Sequence, residues 1–319
     1  MEIDKVRWGV LGWARIAREQ VVPAILRSRN AIVHALGSRE AKKLVEVRSR
    51  FAVPNLYESY DEVLADRNVE AVYIPLPNAL HAPWTIKAAE AGKHVLCEKP
   101  LGLDAQEARQ MIDACKASGV KLMEAFMYRY TERTRLVREL VASGIIGEIK
   151  FLEAEFRFLL ANPQSIKLQP ELGGGALYDV GCYPVNFAGM LMKGKPVSVS
   201  AQAYRSGGID VRTSALLRYE DGSIAALHCG FDAQRRIHAH IVGTLGVLDV
   251  PDTFLDNEGS IVVTTEEGTS EIAVPASDRY KAEVEDFSDA VRNNREPLFS
   301  SSETVTNMEV LAQIMALIA

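Results

Sequence analysis

The sequence of 319 residues is poor in cysteine and contains no cluster of metal-ligand residue types. Its four cysteines are scattered along the chain: Cys97, Cys115, Cys182 and Cys229. No pair has the spacing of a disulfide framework or a zinc ribbon, so we expect reduced thiols in the core. His238 and His240 alternate in a strand-like run, which is more typical of sheet residues than of ligands. We therefore predict no metal site.

Basic residues are not in excess, and no long apolar run is present. The net charge of −6 at pH 7 argues against nucleic acid as a partner, because phosphate binding needs a basic surface. No apolar stretch approaches the roughly 20 residues of a membrane span. The charged start Met1-Glu2-Ile3-Asp4 does not resemble a signal peptide. We expect a cytoplasmic protein with neither a nucleic-acid nor a membrane partner.

The length favours two domains, and the pattern of the first half predicts an α/β fold. Short apolar runs alternate there with helical patterns, at residues 6–11, 31–37, 55–57, 71–74, 94–99 and 120–123. Strands alternating with helices of this length imply crossover connections and a doubly wound parallel sheet. We expect a dinucleotide-binding Rossmann domain over residues 1–125.

The second half alternates with period two and predicts a different sheet. Apolar and polar residues alternate at residues 150–158, 197–203, 213–219 and 224–228. Alternation indicates strands with one buried face in a largely antiparallel sheet, and Asp221-Gly222 is a strong hairpin signal. We expect an α+β substrate-binding domain over residues 126–319, whose late helical pattern at 302–318 could pack back on the first domain. The open sheet face predicts a homodimer or homotetramer.

A glycine turn follows the first strand and precedes a helical pattern. Strand, glycine turn and helix are the context of a phosphate-binding fingerprint, because a helix N-terminus offers free amides to pyrophosphate. Only the first glycine of that motif is present, and an ordinary turn would look similar. We expect the turn residues to bind a dinucleotide: Gly12, Trp13, Ala14, Arg15 and Ile16.

The end of the second predicted strand bears on which dinucleotide is bound. An acid near this point holds the ribose hydroxyls of NAD, whereas an arginine accommodates a 2′-phosphate. Ser38 and Arg39 occupy this position. NADP is therefore favoured, NAD stays possible, and Arg39 could also be a surface residue at a helix start.

Two further strand ends carry polar residues at the same predicted edge of the sheet. The loop after the fourth strand contains Leu76, Asn78 and His81, and the fifth strand ends at Glu98 and Lys99. Ligands of open parallel sheets bind at the carboxyl ends of the strands, so we assign all five to the cofactor site. Asn78 could instead cap a helix, His81 could be a first-turn residue, and the charges could be solvated.

A glycine run in the second half precedes an acid and a phenol. After Gly173-Gly174-Gly175, a helical pattern places Asp179 and Tyr183 four residues apart, hence on one face. Pro184 predicts that this helix is kinked or begins later. A buried tyrosine satisfied by an acid is the alternative. Arg129, just past the sixth strand, could contact substrate or serve packing.

Together these motifs resemble the glucose-fructose oxidoreductase / inositol dehydrogenase / MocA (Gfo/Idh/MocA) family. The resemblance covers nearly the whole chain and includes Glu98-Lys99-Pro100 and the triple-glycine turn with Asp179. Many members have histidine at the position of Tyr183. A tyrosine there resembles the branch with dimeric dihydrodiol dehydrogenase and the NADP-dependent D-xylose dehydrogenases.

The resemblance implies hydride transfer between a nicotinamide and a carbon bearing a hydroxyl or carbonyl group. A phenol of ordinary pKa about 10 is a poor base at neutral pH, and a nearby ammonium would lower that pKa. We therefore assign proton transfer to Tyr183, assistance and oxygen binding to Lys99, and orientation to Asp179. With Arg129, these three residues form the expected substrate site.

The function expected from the resemblance is that of an NADP-dependent aldose 1-dehydrogenase acting on D-xylose or D-glucose. A trans-dihydrodiol dehydrogenase and a keto-sugar reductase are alternatives within the enzymes. A non-catalytic nucleotide-binding sensor is the alternative of another class, because a fold does not imply a function. Retention of Lys99, Asp179 and Tyr183 together disfavours the sensor.

Overall fold

The computed structural model describes residues 4–319, whose packing divides the chain into two units. Residues 4–127 and Asp278–Thr304 form the first unit, and Tyr128–Ser277 and Val305–Ala319 form the second. The domain boundary at residue 125 stays a prediction, because the units reflect packing and not independent folding. Residues 1–3, which belong to the charged start of the sequence, lie outside the described residues.

Six parallel strands form the sheet of the first unit, which confirms the predicted Rossmann architecture. They are β1 (Val6–Leu11), β2 (Ala31–Gly37), β3 (Asn55–Tyr57), β4 (Ala71–Ile74), β5 (His94–Glu98) and β6 (Leu122–Ala125). Their order is β3-β2-β1-β4-β5-β6. The winding direction therefore switches between β1 and β4, and in such sheets ligands bind beside that switch, at the carboxyl ends of the strands.

Helices connect these strands, and local side chains stabilise their first turns. They are α1 (Val22–Arg27), α2 (Ala41–Arg50), α3 (Tyr60–Ala65), α4 (His81–Glu90) and α5 (Ala105–Ala117). At the start of α3, Ser59 and Glu62 form a capping box in which each side chain accepts the other residue's N–H. The Asp104 carboxylate accepts two N–H groups at the start of α5.

Strand β6 begins two residues later than the predicted strand at 120–123. Gly119 has a φ of +67°, and the Val120 N–H donates to the Cys115 carbonyl at 2.9 Å. This bond closes the C-terminal turn of α5, so Val120 belongs to the helix cap and not to the strand. The shift brings Glu124 into β6, directly opposite Cys97 of β5.

The second unit contains a mixed sheet of eight strands that is mostly antiparallel, which confirms the predicted largely antiparallel sheet. Its elements are α6 (Glu132–Ala142), β7 (Ile149–Leu159), α7 (Cys182–Leu191), β8 (Ser198–Ser206), β9 (Ile209–Arg218), β10 (Ile224–Gly230), β11 (Asp232–Gly243), β12 (Gly246–Pro251), β13 (Gly259–Thr265) and β14 (Gly268–Val274). The strand order is β14-β13-β12-β11-β7-β10-β9-β8, and β7 and β10 run parallel. Asp221 and Gly222 connect the antiparallel pair of β9 and β10, which confirms the hairpin.

One face of this sheet is buried within the unit and the other is open. Leu152 and Leu217 are each 1% exposed, whereas their neighbours Phe151 and Leu216 on the opposite face are 56% and 51% exposed. Alternation along the strands therefore produces an apolar open face. The predicted homodimer or homotetramer stays a prediction that this face supports.

Two helices complete the chain, α8 (Arg279–Arg292) and α9 (Ser301–Ile318). Helix α8 packs within the first unit, where the Trp8 indole N–H donates to Ser288 Oγ at 3.2 Å and Arg292 pairs with Glu70 at 2.6 Å. Helix α9 matches the predicted late helix, and its residues from Val305 onward group with the second unit. No helix within residues 4–319 has the length and hydropathy to cross a membrane.

Candidate functional site

The turn after β1 requires glycine at its first position. Gly12 has a φ of +113° and donates its N–H to the Gly37 carbonyl at 2.9 Å. A Cβ there would lie 3.1 Å from Leu76 Cδ2 and 3.4 Å from the Tyr60 hydroxyl oxygen. Any side chain would be strained in the backbone and would fill this space. The turn thus presents bare backbone, as close approach of a phosphate requires.

The other fingerprint side chains have different environments. Trp13 is buried, and its ring packs edge-on against Phe51 with centroids 5.7 Å apart. Ala14 and Ile16 are half-buried, and Arg15 is exposed. The Trp13 side chain therefore belongs to the core, so a contact with a dinucleotide would come from its backbone. The cofactor roles of these residues stay predictions.

A tyrosine that the sequence did not single out links the glycine turn to Arg39. Ser38 is buried and donates its N–H to the Tyr57 carbonyl at 3.0 Å. The exposed Arg39 guanidinium carbon lies 5.5 Å from the centroid of the Tyr60 ring, a cation–π arrangement. The Tyr60 hydroxyl also borders the space beside Gly12. Tyr60 thus holds the arginine next to the turn.

His81 joins the loops that follow β4 and β5. It is fully buried, and its Nε2 and Nδ1 atoms lie 2.8 Å and 2.9 Å from the carbonyl oxygens of Leu76 and Pro100. Burial lowers the pKa of this imidazole. The side chain is therefore a brace between the two loops. Asn78 begins a short 3₁₀ turn before α4, and its cofactor role stays a prediction.

Strand β5 ends at Glu98, whose carboxylate accepts a hydrogen bond from the neighbouring strand β4. The Tyr73 hydroxyl on β4 donates to Glu98 Oε1 at 2.6 Å. Burial, together with the negative charge of Glu98, raises the pKa of Tyr73 well above its ordinary value. Tyr73 is therefore a neutral donor that fixes Glu98. Lys99 follows directly, and the Lys99-Pro100 peptide bond is cis.

A second carboxyl group is buried on the adjacent strand. Glu124 on β6 is 1% exposed and accepts the Leu101 N–H at 2.9 Å. Burial raises the pKa of Glu124 to about 8, although the positive charge of Lys99 acts in the opposite direction. This group therefore takes up a proton near neutral pH. Glu124 carried no sequence signal, because the predicted strand ended one residue earlier.

Replacing Glu124 with glutamine is expected to weaken the dependence of stability on pH. The folded protein holds the Glu124 proton up to about pH 8, whereas the unfolded chain releases it near its ordinary pKa of 4.5. The free energy of unfolding therefore falls as the pH rises between these values. In Glu124→Gln that fall should be smaller by about 2 to 4 kcal/mol, measured by urea unfolding at several pH values. Exposed Glu40→Gln is the control, and parallel curves for wild type and Glu124→Gln would contradict the assignment.

In the second unit, the glycine run leads into a widened helical turn. Leu177–Gly181 is π-helical and continues into α7, where Pro184 is the third residue. The predicted interruption is thus a π-turn within a continuous helical path. Asp179 and Tyr183, four residues apart in this path, point to the same side of it.

Asp210 anchors the start of this helical segment. Its Oδ2 accepts the Leu177 N–H at 2.7 Å and the Thr213 hydroxyl at 2.8 Å. Burial raises the pKa of Asp210. Gly175 has a φ of +122°, and a Cβ there would collide with the Asp210 carboxylate. The last glycine of the run is therefore required where the chain passes this acid.

Tyr183 is buried among aromatic rings. Its ring centroid lies 5.8 Å from that of Tyr128, 5.3 Å from that of Phe156 and 5.5 Å from that of Phe254. These contacts fix the plane of the phenol within the second unit. The arrangement provides an oriented proton donor or acceptor in apolar surroundings.

Arg129 is buried, and so is Asn186 of α7, to which it lies close. Asn186 lies three residues after Tyr183 on α7 and accepts from the Tyr128 hydroxyl at 2.5 Å. Arg129 Nη1 lies 3.4 Å from the same Asn186 oxygen. This contact fixes Arg129 against α7, and its substrate role stays a prediction. Asn186 carried no sequence signal.

The cysteines lie in the core, and His238 pairs with an aspartate. The four cysteines are buried as thiols, and His238 Nε2 lies 2.8 Å from Asp249 Oδ1 across the sheet. Within residues 4–319, no three histidine, cysteine, aspartate or glutamate side chains are grouped to hold a metal ion. The absence of a metal in the active protein stays a prediction.

Family models match both halves of the chain. Residues 6–126 match the model of the Gfo/Idh/MocA oxidoreductase family with an NAD-binding Rossmann fold. Residues 134–249 match the model of the Gfo/Idh/MocA C-terminal domain. These matches agree with the resemblance found from the motifs.

Individual relatives match over most of their lengths. D-xylose 1-dehydrogenase (NADP(+)) 2 of Haloferax volcanii is 37% identical, with 96% of this chain and 95% of the relative covered. Trans-1,2-dihydrobenzene-1,2-diol dehydrogenase of Xenopus laevis is 32% identical, covering 82% and 79%. The crystal structure of a 3-ketoreductase from Actinomadura kijaniata in complex with NADP and TDP-benzene is 29% identical, with a TM-score of 0.93 and coverage of 99% and 98%.

Proposed function

Because the chain belongs to the Gfo/Idh/MocA family of oxidoreductases, we propose that it is an NADP-dependent dehydrogenase that oxidises the anomeric hydroxyl of an aldose to the lactone. D-xylose and D-glucose are the substrates proposed first. The observation that carries this proposal is the similarity to an NADP-dependent D-xylose 1-dehydrogenase over nearly the whole chain.

The first unit fits a nicotinamide dinucleotide. The space beside Gly12, which a Cβ would fill, suits a pyrophosphate, and Arg39 held over Tyr60 suits a 2′-phosphate. Ser38 would contact the same ribose. A nicotinamide held there would supply the hydride acceptor for the substrate carbon. The cofactor roles of Leu76, Asn78, His81, Glu98 and Lys99 belong to the same proposal.

The remaining proton is assigned to residues of this chain. As the anomeric carbon loses its hydride, its hydroxyl loses a proton, and the Tyr183 phenolate would accept it. The Lys99 ammonium would favour that phenolate and bind the substrate oxygen. Asp179 would orient the substrate or the lysine, and Arg129 would contact the sugar. In the reverse direction Tyr183 would act as the acid.

A trans-dihydrodiol or a keto sugar is the second candidate substrate. The aromatic rings around Tyr183 favour an apolar diol, and the similarity to the dihydrodiol dehydrogenase supports it. The 3-ketoreductase structure supports reduction of a keto sugar. Both alternatives use the same hydride and proton chemistry.

A substrate panel tests the proposal. The absorbance of the reduced nicotinamide is followed with NADP and with NAD separately, against aldoses, inositols and a trans-diol, and in reverse against keto sugars. Turnover of a pentose or hexose with NADP is the expected result. Turnover of the diol alone would move the assignment to the second candidate, and tight NADP binding without any turnover would favour the sensor.

Arg39→Leu is expected to weaken NADP binding selectively. Loss of a charge-assisted contact to the 2′-phosphate should raise the Kd of NADP by about 10- to 100-fold and change that of NAD by less than about twofold. Calorimetric titration of both nucleotides measures this. Arg48→Leu, at an exposed position on α2, is the control. An equal loss for NAD would show that Arg39 does not contact the phosphate.

A further inference from the structure

Lys167, which lies outside every motif of the sequence, forms an ion pair with Asp179. Lys167 lies in a one-turn 3₁₀ helix, Ile166–Leu168, in the segment between β7 and the glycine run. Its Nζ atom lies 2.5 Å from Asp179 Oδ2. The two side chains are 32% and 17% exposed, so water screens this pair less than an ordinary surface pair.

The backbone of Lys167 is fixed to the turn that leads to Asp179. Its carbonyl accepts the Gly175 N–H at 2.9 Å. A Cβ on Gly174 would lie 2.6 Å from the same carbonyl oxygen and 2.8 Å from that of Gln169. The middle glycine of the run is therefore required for this close packing. The segment carrying the lysine and the turn carrying the acid form one packed piece.

Two further contacts hold Lys167, one at its ammonium and one at its backbone. Its ammonium lies 5.6 Å from the centroid of the Phe158 ring, near the end of β7. The Lys167 N–H donates to Ser165 Oγ at 3.3 Å, which stabilises the 3₁₀ turn. Because the backbone of Lys167 is held in place, holding its ammonium against Asp179 costs less conformational entropy than in a mobile loop.

We propose that Lys167 is a positioning residue, which keeps the Asp179 carboxylate ionised and in one orientation for the reaction. The inference rests on the function proposed above, in which Asp179 orients the substrate or Lys99. A cation on one carboxylate oxygen restricts rotation of the group and favours its charged form. Lys167 acts through Asp179 and contacts no reacting atom.

Four variants test this role: Lys167→Met, Lys167→Arg, Asp179→Asn and the double variant Lys167→Met/Asp179→Asn. Lys167→Met should lower kcat by about 10- to 100-fold and move the midpoint of the acid limb of the pH profile to higher pH. The Kd of NADP should stay within about twofold of the wild-type value. Lys167→Arg should restore most of the activity. Adding Lys167→Met to Asp179→Asn should cost less than about twofold more, because the two act as a unit. Lys150→Met, which removes the exposed partner of Glu148, is the control.

A measurement without substrate separates this inference from the proposed function. Carbon-13 NMR of the aspartate carboxyls, assigned with Asp179→Asn, follows the protonation of Asp179. Its midpoint should move up by about 1 pH unit in Lys167→Met and return in Lys167→Arg. An unchanged midpoint, or additive losses in the double variant, would overturn the positioning role. A shifted midpoint with unchanged turnover in all four variants would instead overturn the catalytic role of Asp179.

Discussion

Lys99→Met is expected to lower kcat by about a hundred- to a thousandfold while the Kd of NADP stays within about threefold. Methionine keeps an unbranched stem of similar length and removes the ammonium. In the proposed reaction that charge stabilises the Tyr183 phenolate and the developing oxyanion of the substrate. Both effects act in the transition state, so the loss should appear in kcat more than in binding. Stopped-flow measurement of a single turnover isolates the hydride step.

Two controls make this result specific. Lys87→Met removes an exposed lysine of α4 that pairs with Asp61, and it should leave kcat unchanged. Thermal unfolding should show that Lys99→Met is folded. Because the Lys99 charge favours ionised Glu124, the variant should also hold the Glu124 proton to higher pH. A kcat within twofold of wild type would remove Lys99 from the mechanism.

Tyr183→Phe is expected to lower kcat by about 10²- to 10⁴-fold, the range typical of losing a general acid or base. Phenylalanine keeps the ring that packs against Tyr128, Phe156 and Phe254, so only the hydroxyl is removed. The free energy of unfolding should change by about 1 kcal/mol or less. The pH profile of the residual activity should lose the limb that the phenol produces.

Tyr204→Phe is the matched control, because Tyr204 lies on β8 and is about half exposed. The double variant Lys99→Met/Tyr183→Phe should be little worse than the poorer single variant, since both residues serve one proton transfer. A Tyr183→Phe enzyme with normal kcat and a raised KM would make Tyr183 a substrate-binding group. The proton acceptor would then have to be another residue.

The strands of the first unit were predictable wherever an apolar run ends at a turn. The bounds of β1, β2, β3 and β4 match the predicted runs to the residue, because each is a short run of strand-forming residues bounded by turn residues. β6 was displaced because Gly119 and Val120 close the preceding helix. The packing of α8 could not be predicted, since its partner Trp8 lies 280 positions away in the chain.

The residues of the candidate site also divide into those that local sequence patterns reveal and those that depend on tertiary contacts. Lys99, Asp179 and Tyr183 stand out because a strand end and a helical spacing are local patterns. Tyr60, Tyr73 and Glu124 gain their importance from neighbours on other strands and loops. Lys167 lies in an irregular segment and meets Asp179 only because the glycine turn folds that segment back. Contacts of this kind depend on tertiary packing, which single-sequence patterns do not contain.

The return of α8 to the first unit has a consequence for biosynthesis. Residues 4–127 leave the ribosome before residues 128–277, yet the partners of Trp8 and Glu70 on α8 are made only after both. While the second unit is being synthesised, the nascent first unit therefore exposes the apolar surface around Trp8 that α8 later covers. The second unit likewise includes residues 305–319, which are made last. A chain terminated before α8 therefore contains neither unit in full, and it lacks the residues of α8 that contact Trp8 and Glu70.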